Sequence, residues 1–203
     1  MQRLNAPTFF DQAIPLSGNS ALVRNVLLAI FGSLLLAVCA RASIQIGPVP
    51  LTLQTLALMI IGATYGWRLA GLTVLLYLAY GAMNFPVFAQ APYAGLGYIL
   101  GGVPSAGFLW GFVLGATFLG AAAQWGMARN PIMLAGAMLI AHVILYIPGV
   151  LWGATYIGAT WLPEGELFNV FVTPFLLGDA IKILIAIAIV PIAYKAVETF
   201  RNG

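Results

Sequence analysis

Long apolar runs fill most of the chain, and short polar or charged breaks separate them. A helix needs roughly 20 mostly apolar residues to cross a bilayer, and fewer where neighbouring helices surround it. We interpret six runs as such helices, at about residues 25–41, 50–66, 69–86, 104–127, 131–152 and 173–195. The breaks carry residues typical of helix ends, such as Thr173-Pro174 before the last run. The pattern predicts an all-α membrane protein, a compact bundle of six transmembrane helices.

The composition agrees with this interpretation and excludes a separate soluble domain. Of the 203 residues, 62% are hydrophobic and 6% are charged, and the mean hydropathy is +1.01. Soluble proteins carry about a quarter charged residues. Residues 1–24 mix apolar and polar side chains, so we assign them to an N-terminal cytoplasmic or interfacial segment. Residues 25–203 form the predicted six-helix transmembrane domain.

Charge placement predicts the orientation of the bundle. Six spans put both termini on one side, and the cytoplasmic connections of membrane proteins are enriched in Lys and Arg. With both termini cytoplasmic, Arg41 is the only cation outside, where Glu164 and Glu166 also lie, and Lys182 lies within the membrane. Six cations then lie inside: Arg3, Arg24, Arg68, Arg129, Lys195 and Arg201. These basic residues form no run or stripe of the kind that binds nucleic acid, so no such partner is predicted.

The segment "FLLGDAIKIL" places two opposite charges inside the last apolar run. Asp179 lies about five residues into the predicted helix, and Lys182 follows at a spacing that puts both on one helix face. A charge at this depth costs about 2–3 kcal/mol or more, so the pair should face the interior or a cavity. One reading is a structural ion pair that locks helix packing. The other is a binding patch that offers an acceptor and a donor, which suits a urea or an amide.

Other polar residues in the outer half could complete such a patch. Gln54 lies early in the second run, Asn84 ends the third, and Arg41 ends the first. Arg41 could bind a carboxylate, or it could extend to the membrane interface. Gln54 and Asn84 could bind a ligand or only satisfy helix ends.

The connection "PVFAQAPYAGLGYILGGV", residues 86–103, is long, uncharged and rich in glycine and aromatic residues. Long loops gathered at one face of a bundle often cover a site. Tyr93 and Tyr98 could therefore close over a ligand. They could also be ordinary aromatic residues of the membrane interface.

No sequence motif for catalysis, metal binding or nucleotide hydrolysis is present. The chain has no G-x-S-x-G, no H-E-x-x-H and no phosphate-binding loop. We predict no catalytic residues, no metal and no cofactor, so active transport would need a partner or an ion gradient. His142, alone among apolar residues, is interpreted as a hydrogen-bonded structural residue.

Three segments together resemble the BioY family, the biotin-binding membrane components (S components) of energy-coupling factor (ECF) transporters. They are "GPVPLTLQTLALMIIGATYG" (47–66), "LAGLTVLLYLAYGAMNFPVFA" (69–89) and "GDAIK" (178–182), with the glycine-rich connection after the second. The resemblance implies a six-helix protein of a prokaryotic cell (inner) membrane that binds biotin near its outer face. It also implies that Asp179 and Lys182 contact the ureido ring of biotin, with Gln54 a weaker candidate.

The resemblance also implies partners besides biotin and the lipid bilayer. Ala29, Ser33 and Ala37 stand at four-residue spacing in the first run, and small residues in one row let another helix approach closely. This row resembles the surface with which S components dock on a transmembrane coupling protein, whose ATPase subunits drive uptake. The alternative for this row is internal packing. The alternatives for the function are a solitary biotin transporter and an S component for another small vitamin. An intramembrane enzyme using Asp179 and Lys182 as acid and base would need a nucleophile or metal that the sequence does not offer.

Overall fold

Helices occupy each of the six predicted apolar runs. A computed structural model of the chain describes residues 6–156 and 165–202, so Arg3 and Glu164, both used to predict the orientation, lie outside the described residues. The helices are α1 (Phe9–Ala13), α2 (Gly18–Arg41), α3 (Gln54–Tyr65), α4 (Trp67–Ala82), α5 (Ala106–Gln124), α6 (Pro131–Thr155), α7 (Leu167–Phe171) and α8 (Thr173–Asn202). A π-helical turn spans Tyr98–Gly102, and a 3₁₀ turn spans Met127–Arg129.

Helix length separates two groups of spans in the described part of the chain. Four segments are long and apolar enough to cross a membrane, namely Gly18–Arg41, Ala106–Gln124, Pro131–Thr155 and Leu167–Arg201. Helices α3 and α4 have 12 and 16 residues, which correspond to about 18 and 24 Å, against a hydrocarbon thickness of about 30 Å. The chain is thus a multi-pass helical membrane protein, with two of the predicted spans shorter than expected.

A β-hairpin replaces the predicted start of the second span. Strands β1 (Ser43–Ile46) and β2 (Val49–Thr52) pair antiparallel, so the helix begins at Gln54 and not near residue 50 as predicted. Gly47 has a φ of +67° at the first position of the two-residue turn, as a type II′ hairpin requires. Pro48 and Pro50 lack the N–H groups that a helix would use. We call the end of the bundle that carries this hairpin and the connection 83–105 the hairpin end.

Glycines bring α5 and α6 into direct backbone contact. Gly107, Gly111 and Gly115 follow one another at four-residue spacing on α5. A methyl group added to Gly107 or Gly111 would press against the backbone oxygen of Pro148 or Leu145 on α6. Small residues at this spacing allow such close approach between membrane helices. The contact fixes the wall of α5 and α6 that faces α8.

The N-terminal segment folds back against the end of the bundle opposite the hairpin. Thr8 and Asp11 cap α1 reciprocally. The buried Arg24 donates to the backbone oxygen of Ile14 at 2.6 Å and pairs with Asp11 at 2.6 Å. Helix α2 begins at Gly18, earlier than the predicted start near residue 25. Residues 18–24, the last part of the predicted N-terminal cytoplasmic or interfacial segment, therefore belong to the first long helix.

Candidate functional site

A cavity at the hairpin end lies between β2, α3, α5, α6, α8 and the connection 83–105. It contains about 600 Å³ of empty space, part of which is open to solvent. Its polar lining includes Thr52, Gln54, Thr55, Tyr98, Ser105, Tyr146, Asp179 and Lys182, and its apolar lining includes Val49, Leu51, Phe108, Leu109, Phe112, Leu145 and Phe175. Polar groups at one wall of an apolar chamber are suited to orient a small organic molecule.

Asp179 and Lys182 face this cavity from one side of α8, as their spacing predicts. Lys182 Nζ donates to Asp179 Oδ1 at 3.1 Å, and the two residues are only 6% and 7% exposed. Gly178 precedes the pair, and a methyl group added there would meet only Leu51 at 3.3 Å. The two charges therefore pair with each other on the cavity wall.

Two residues that sequence reasoning missed complete the hydrogen bonds of the pair. Thr55 accepts from Lys182 Nζ at 2.7 Å and donates to Asp179 Oδ1 at 3.1 Å. The hydroxyl of Tyr146 donates to Asp179 Oδ2 at 2.6 Å. A carboxylate offers about four acceptor sites and an ammonium three N–H donors. Among the described residues, these contacts leave about one acceptor site on Asp179 and one N–H on Lys182 for a ligand.

His142, which we interpreted as a hydrogen-bonded structural residue, lies beside this cluster. Its Nδ1 lies 2.9 Å from the backbone oxygen of Met138, and its Nε2 lies 3.8 Å from Asp179 Oδ1. Tyr146 stands four residues after His142, so the two share one face of α6. That spacing was the only signal in the sequence for a polar face on α6 that meets α8.

Gln54 and Tyr98, two of the residues predicted to bind a ligand, line the cavity. Gln54 Nε2 donates to the hydroxyl of Tyr77 at 2.9 Å, and this hydroxyl donates to the backbone oxygen of Val87 at 3.2 Å. Tyr98 is buried and stacks on Phe88, with 4.4 Å between ring centroids. The chain from Gln54 through Tyr77 fixes the connection 83–105 to α3 and α4, so this part of the connection is a packed wall of the cavity.

Arg41, Tyr93 and Asn84 do not line the cavity. The guanidinium carbon of Arg41 lies 4.1 Å from the centre of the Tyr93 ring, and both side chains are exposed. Asn84 is exposed just after α4 and has a φ of +68°, a backbone conformation that Asn tolerates better than most residues. Arg41 and Tyr93 form a cation–π pair at the same hairpin end, and Asn84 terminates a helix.

The row of small residues on α2 is divided between the core and the surface. Ser33 is fully buried and donates to the backbone oxygen of Ile30 at 2.8 Å, whereas Ala29 and Ala37 are half-buried. A methyl group added to Gly32 would lie 2.8 Å from the side chain of Thr73, so α2 approaches α4 closely here. Of the three residues in this row, only Ala29 and Ala37 have exposed surface that a further helix could contact.

The described residues contain no group of three or more His, Cys, Asp or Glu side chains placed to hold a metal ion. The buried charges of α8 have hydrogen-bonding partners from α3 and α6 instead.

Comparison with known proteins gives one family. The model of the BioY family matches residues 11–199. The "Biotin transporter BioY" of Rhodobacter capsulatus is 36% identical over 173 residues, which cover 80% of this chain and 88% of that protein. The "Probable biotin transporter BioY" of Pyrococcus horikoshii is 33% identical over 163 residues, which cover 80% of this chain and 91% of that protein.

A solved structure has the same fold. The S-component for biotin from an ECF-type ABC transporter superposes with a TM-score of 0.75, at 22% sequence identity, over 89% of this chain and 95% of that chain.

Proposed function

This chain belongs to the BioY family, and we propose that it binds biotin and mediates biotin uptake across a cell membrane. The observation that carries the proposal is the cavity at the hairpin end, where Asp179 and Lys182 present an acceptor and a donor beside an apolar chamber. The relatives with which the chain aligns over most of its length are named as biotin transporters.

The ureido ring of biotin fits the polar wall. An N–H of the ring donates to Asp179 Oδ2, which receives one hydrogen bond, from Tyr146, among the described residues. The ring carbonyl accepts from the N–H of Lys182 that neither Thr55 nor Asp179 uses. Both contacts involve a charged group, so each is worth about 1.5–3 kcal/mol.

The rest of the ligand fits the apolar wall. Phe108, Phe112 and Phe175 line the chamber together with Leu109, and they suit the sulfur-containing ring and the aliphatic chain of biotin. Burial of apolar area contributes about 25 cal/mol per Å². Gln54, already bonded to Tyr77, limits the chamber on the side of α3.

The carboxylate of biotin extends toward the mouth of the cavity, where Arg41 binds it. Arg41 lies against the Tyr93 ring at the same hairpin end, so a movement of the two side chains toward the cavity would close over the ligand. Asn84, exposed after α4, is a weaker candidate for the same end of the ligand.

In this proposal the hairpin end faces outward. All six helical runs span the bilayer of a prokaryotic cell (inner) membrane, and both termini are cytoplasmic. The hairpin extends the short α3 so that the two together cross the membrane. A transmembrane coupling protein docks on α2 at Ala29 and Ala37, and its ATPase subunits drive uptake. A solitary transporter is the alternative, and uptake in a host that lacks all ECF coupling subunits distinguishes the two.

A ligand panel with the purified protein tests the function. We expect biotin to bind with a Kd below about 1 μM, a free energy of about −8 kcal/mol or better, while riboflavin and thiamine do not bind. Iminobiotin replaces the ring carbonyl with an N–H donor that would face Lys182, so it should bind far more weakly. Absence of biotin binding in calorimetry would overturn the proposal.

The same panel tests the carboxylate contact. Biotin amide lacks the carboxylate, so Arg41→Gln should weaken the binding of biotin while leaving the binding of the amide nearly unchanged. Equal losses for both ligands would remove Arg41 from this role and leave the ureido contacts untouched.

A further inference from the structure

The fold determines the protonation of one of the two nitrogens in the His142 ring. Its Nδ1 lies 2.9 Å from the backbone oxygen of Met138, and since a carbonyl only accepts, Nδ1 carries a proton. The other nitrogen, Nε2, is buried without a hydrogen-bond partner among the described residues, in a side chain that is 5% exposed. It points toward Asp179 Oδ1, which lies 3.8 Å away.

The two protonation states of His142 act on Asp179 in opposite ways. In the neutral ring, the lone pair of Nε2 faces the carboxylate and repels it. In the doubly protonated ring, an N–H faces the carboxylate, and a movement of less than about 1 Å would bring the two atoms to hydrogen-bond distance. Whether this nitrogen carries a proton therefore depends on how much other positive charge Asp179 receives.

Few charged or polar side chains among the described residues surround His142 and Asp179. Helix α8 contributes Asp179 and Lys182, and α6 contributes Tyr146 beside His142 itself. Helix α3 contributes the neutral Thr55. The residues with which α5 lines this wall are apolar: Phe108, Leu109 and Phe112. In this structure Lys182 is the cation that donates to Asp179 Oδ1.

We infer that His142 is a positioning residue for Asp179 and that it takes up a proton when ligand binds. The inference rests on the proposed function, in which the ligand carbonyl accepts from Lys182. That contact shares the charge of Lys182 between the ligand carbonyl and Asp179 Oδ1, and the N–H of doubly protonated His142 adds a donor to this oxygen. The proton comes from solvent and goes to Nε2, and no covalent bond to the ligand forms.

The direction in which biotin affinity changes with pH follows from this proton uptake. Because the bound state holds one more proton than the free state, affinity is highest at low pH and falls as pH rises through the titration of the ring. The decrease can reach about tenfold per pH unit between the titration points of the free and bound protein. An ordinary histidine changes its charge between about pH 5 and 8, so the affinity for biotin should be measured across that range.

The chain contains one histidine, so the imidazole NMR signals of the protein come from this ring alone once any histidine tag is removed. We expect saturating biotin near pH 7 to shift ¹⁵N-labelled His142 toward the doubly protonated form. Calorimetry in buffers of different ionisation enthalpy should show net proton uptake by the wild type. His142→Gln cannot take up this proton, so its affinity for biotin should not vary across the same pH range.

Three results would overturn the inference while leaving the proposed function intact: tight biotin binding that does not vary with pH, an unchanged His142 signal on ligand addition, or the same pH profile in His142→Gln. The NMR and proton-uptake measurements use the wild-type protein, so they hold even if the variant does not fold. Failure of the wild type to bind biotin at any pH would instead overturn the proposed function.

Discussion

Lys182 Nζ lies 2.7 Å from Thr55 Oγ1 and 3.1 Å from Asp179 Oδ1. The threonine hydroxyl thus joins α3 to both charges of α8, by accepting from the lysine and donating to the aspartate. A buried ion pair is stable only when its remaining donors and acceptors are satisfied. Thr55 satisfies one group on each partner and so fixes the orientation in which they meet a ligand.

Replacing Thr55 with Val tests this role, since valine keeps the shape and removes the hydroxyl. We expect biotin binding to weaken by about 1 kcal/mol, roughly fivefold, because two hydrogen bonds are lost and the charges are free to reorient. Thermal stability should also decrease modestly. Thr64→Val is a matched control on α3, because the Thr64 hydroxyl donates to the backbone oxygen of Ile60 in its own helix. The role of Thr55 would be refuted if both variants bound biotin as tightly as the wild type.

Asp179→Asn tests whether the carboxylate contacts the ligand. The substitution keeps an acceptor but removes the charge, so binding should weaken by about 1–3 kcal/mol. Glu198→Gln provides the control, because Glu198 lies on the same helix and pairs with Arg129 away from the cavity. If Asp179→Asn lowered the unfolding temperature and left the affinity for biotin unchanged, the pair would be structural.

The charged pair could be predicted because two opposite charges in an apolar helix are rare and their spacing sets their face. Its partners could not, since Thr55 and Tyr146 are ordinary residues that only the packing of α3 and α6 against α8 brings to Asp179. The hairpin β1–β2 was missed for a different reason. Its residues are as apolar as those of a helix, and only the prolines and Gly47 distinguish them.

The contact between α5 and α6 predicts a strong effect of a single methyl group. Gly111→Ala should lower the free energy of unfolding by about 1–3 kcal/mol, because the methyl group meets the backbone of Leu145 and cannot be accommodated by side-chain rotation. Gly136→Ala is the control, since a methyl group there meets nothing within 4 Å on α6. Thermal unfolding in detergent compares them, and equal midpoints would show that the helices are not in tight contact.

The pair of Asp11 and Arg24 predicts a pH-dependent contribution to stability. Burial raises the pKa of Asp11, but hydrogen bonds from Thr8 and Arg24 outweigh this effect and lower the pKa below its ordinary value of 3.8. The stabilisation is therefore complete above about pH 4 and is lost as pH falls through the folded-state pKa. Because Asp11 is partly exposed, Asp11→Asn should cost less than about 1 kcal/mol near pH 7. Unfolding midpoints of the two proteins should converge as the pH falls below the folded-state pKa of Asp11, and a constant difference would contradict the assignment.

Docking of a partner on α2 predicts a separation between binding and uptake. Ser33 is fully buried, so a large residue there would disturb the fold itself, and the half-buried Ala37 is the better probe. Ala37→Trp should leave biotin binding by the purified protein intact and block uptake in cells that contain the coupling subunits, because only small side chains let a second helix approach. Val38→Trp is the control, since Val38 is 67% exposed on the neighbouring face and tolerates a large apolar side chain toward lipid. Normal uptake by Ala37→Trp would place the docking surface elsewhere, whereas loss of uptake in both variants would mean that bulk anywhere on α2 is harmful.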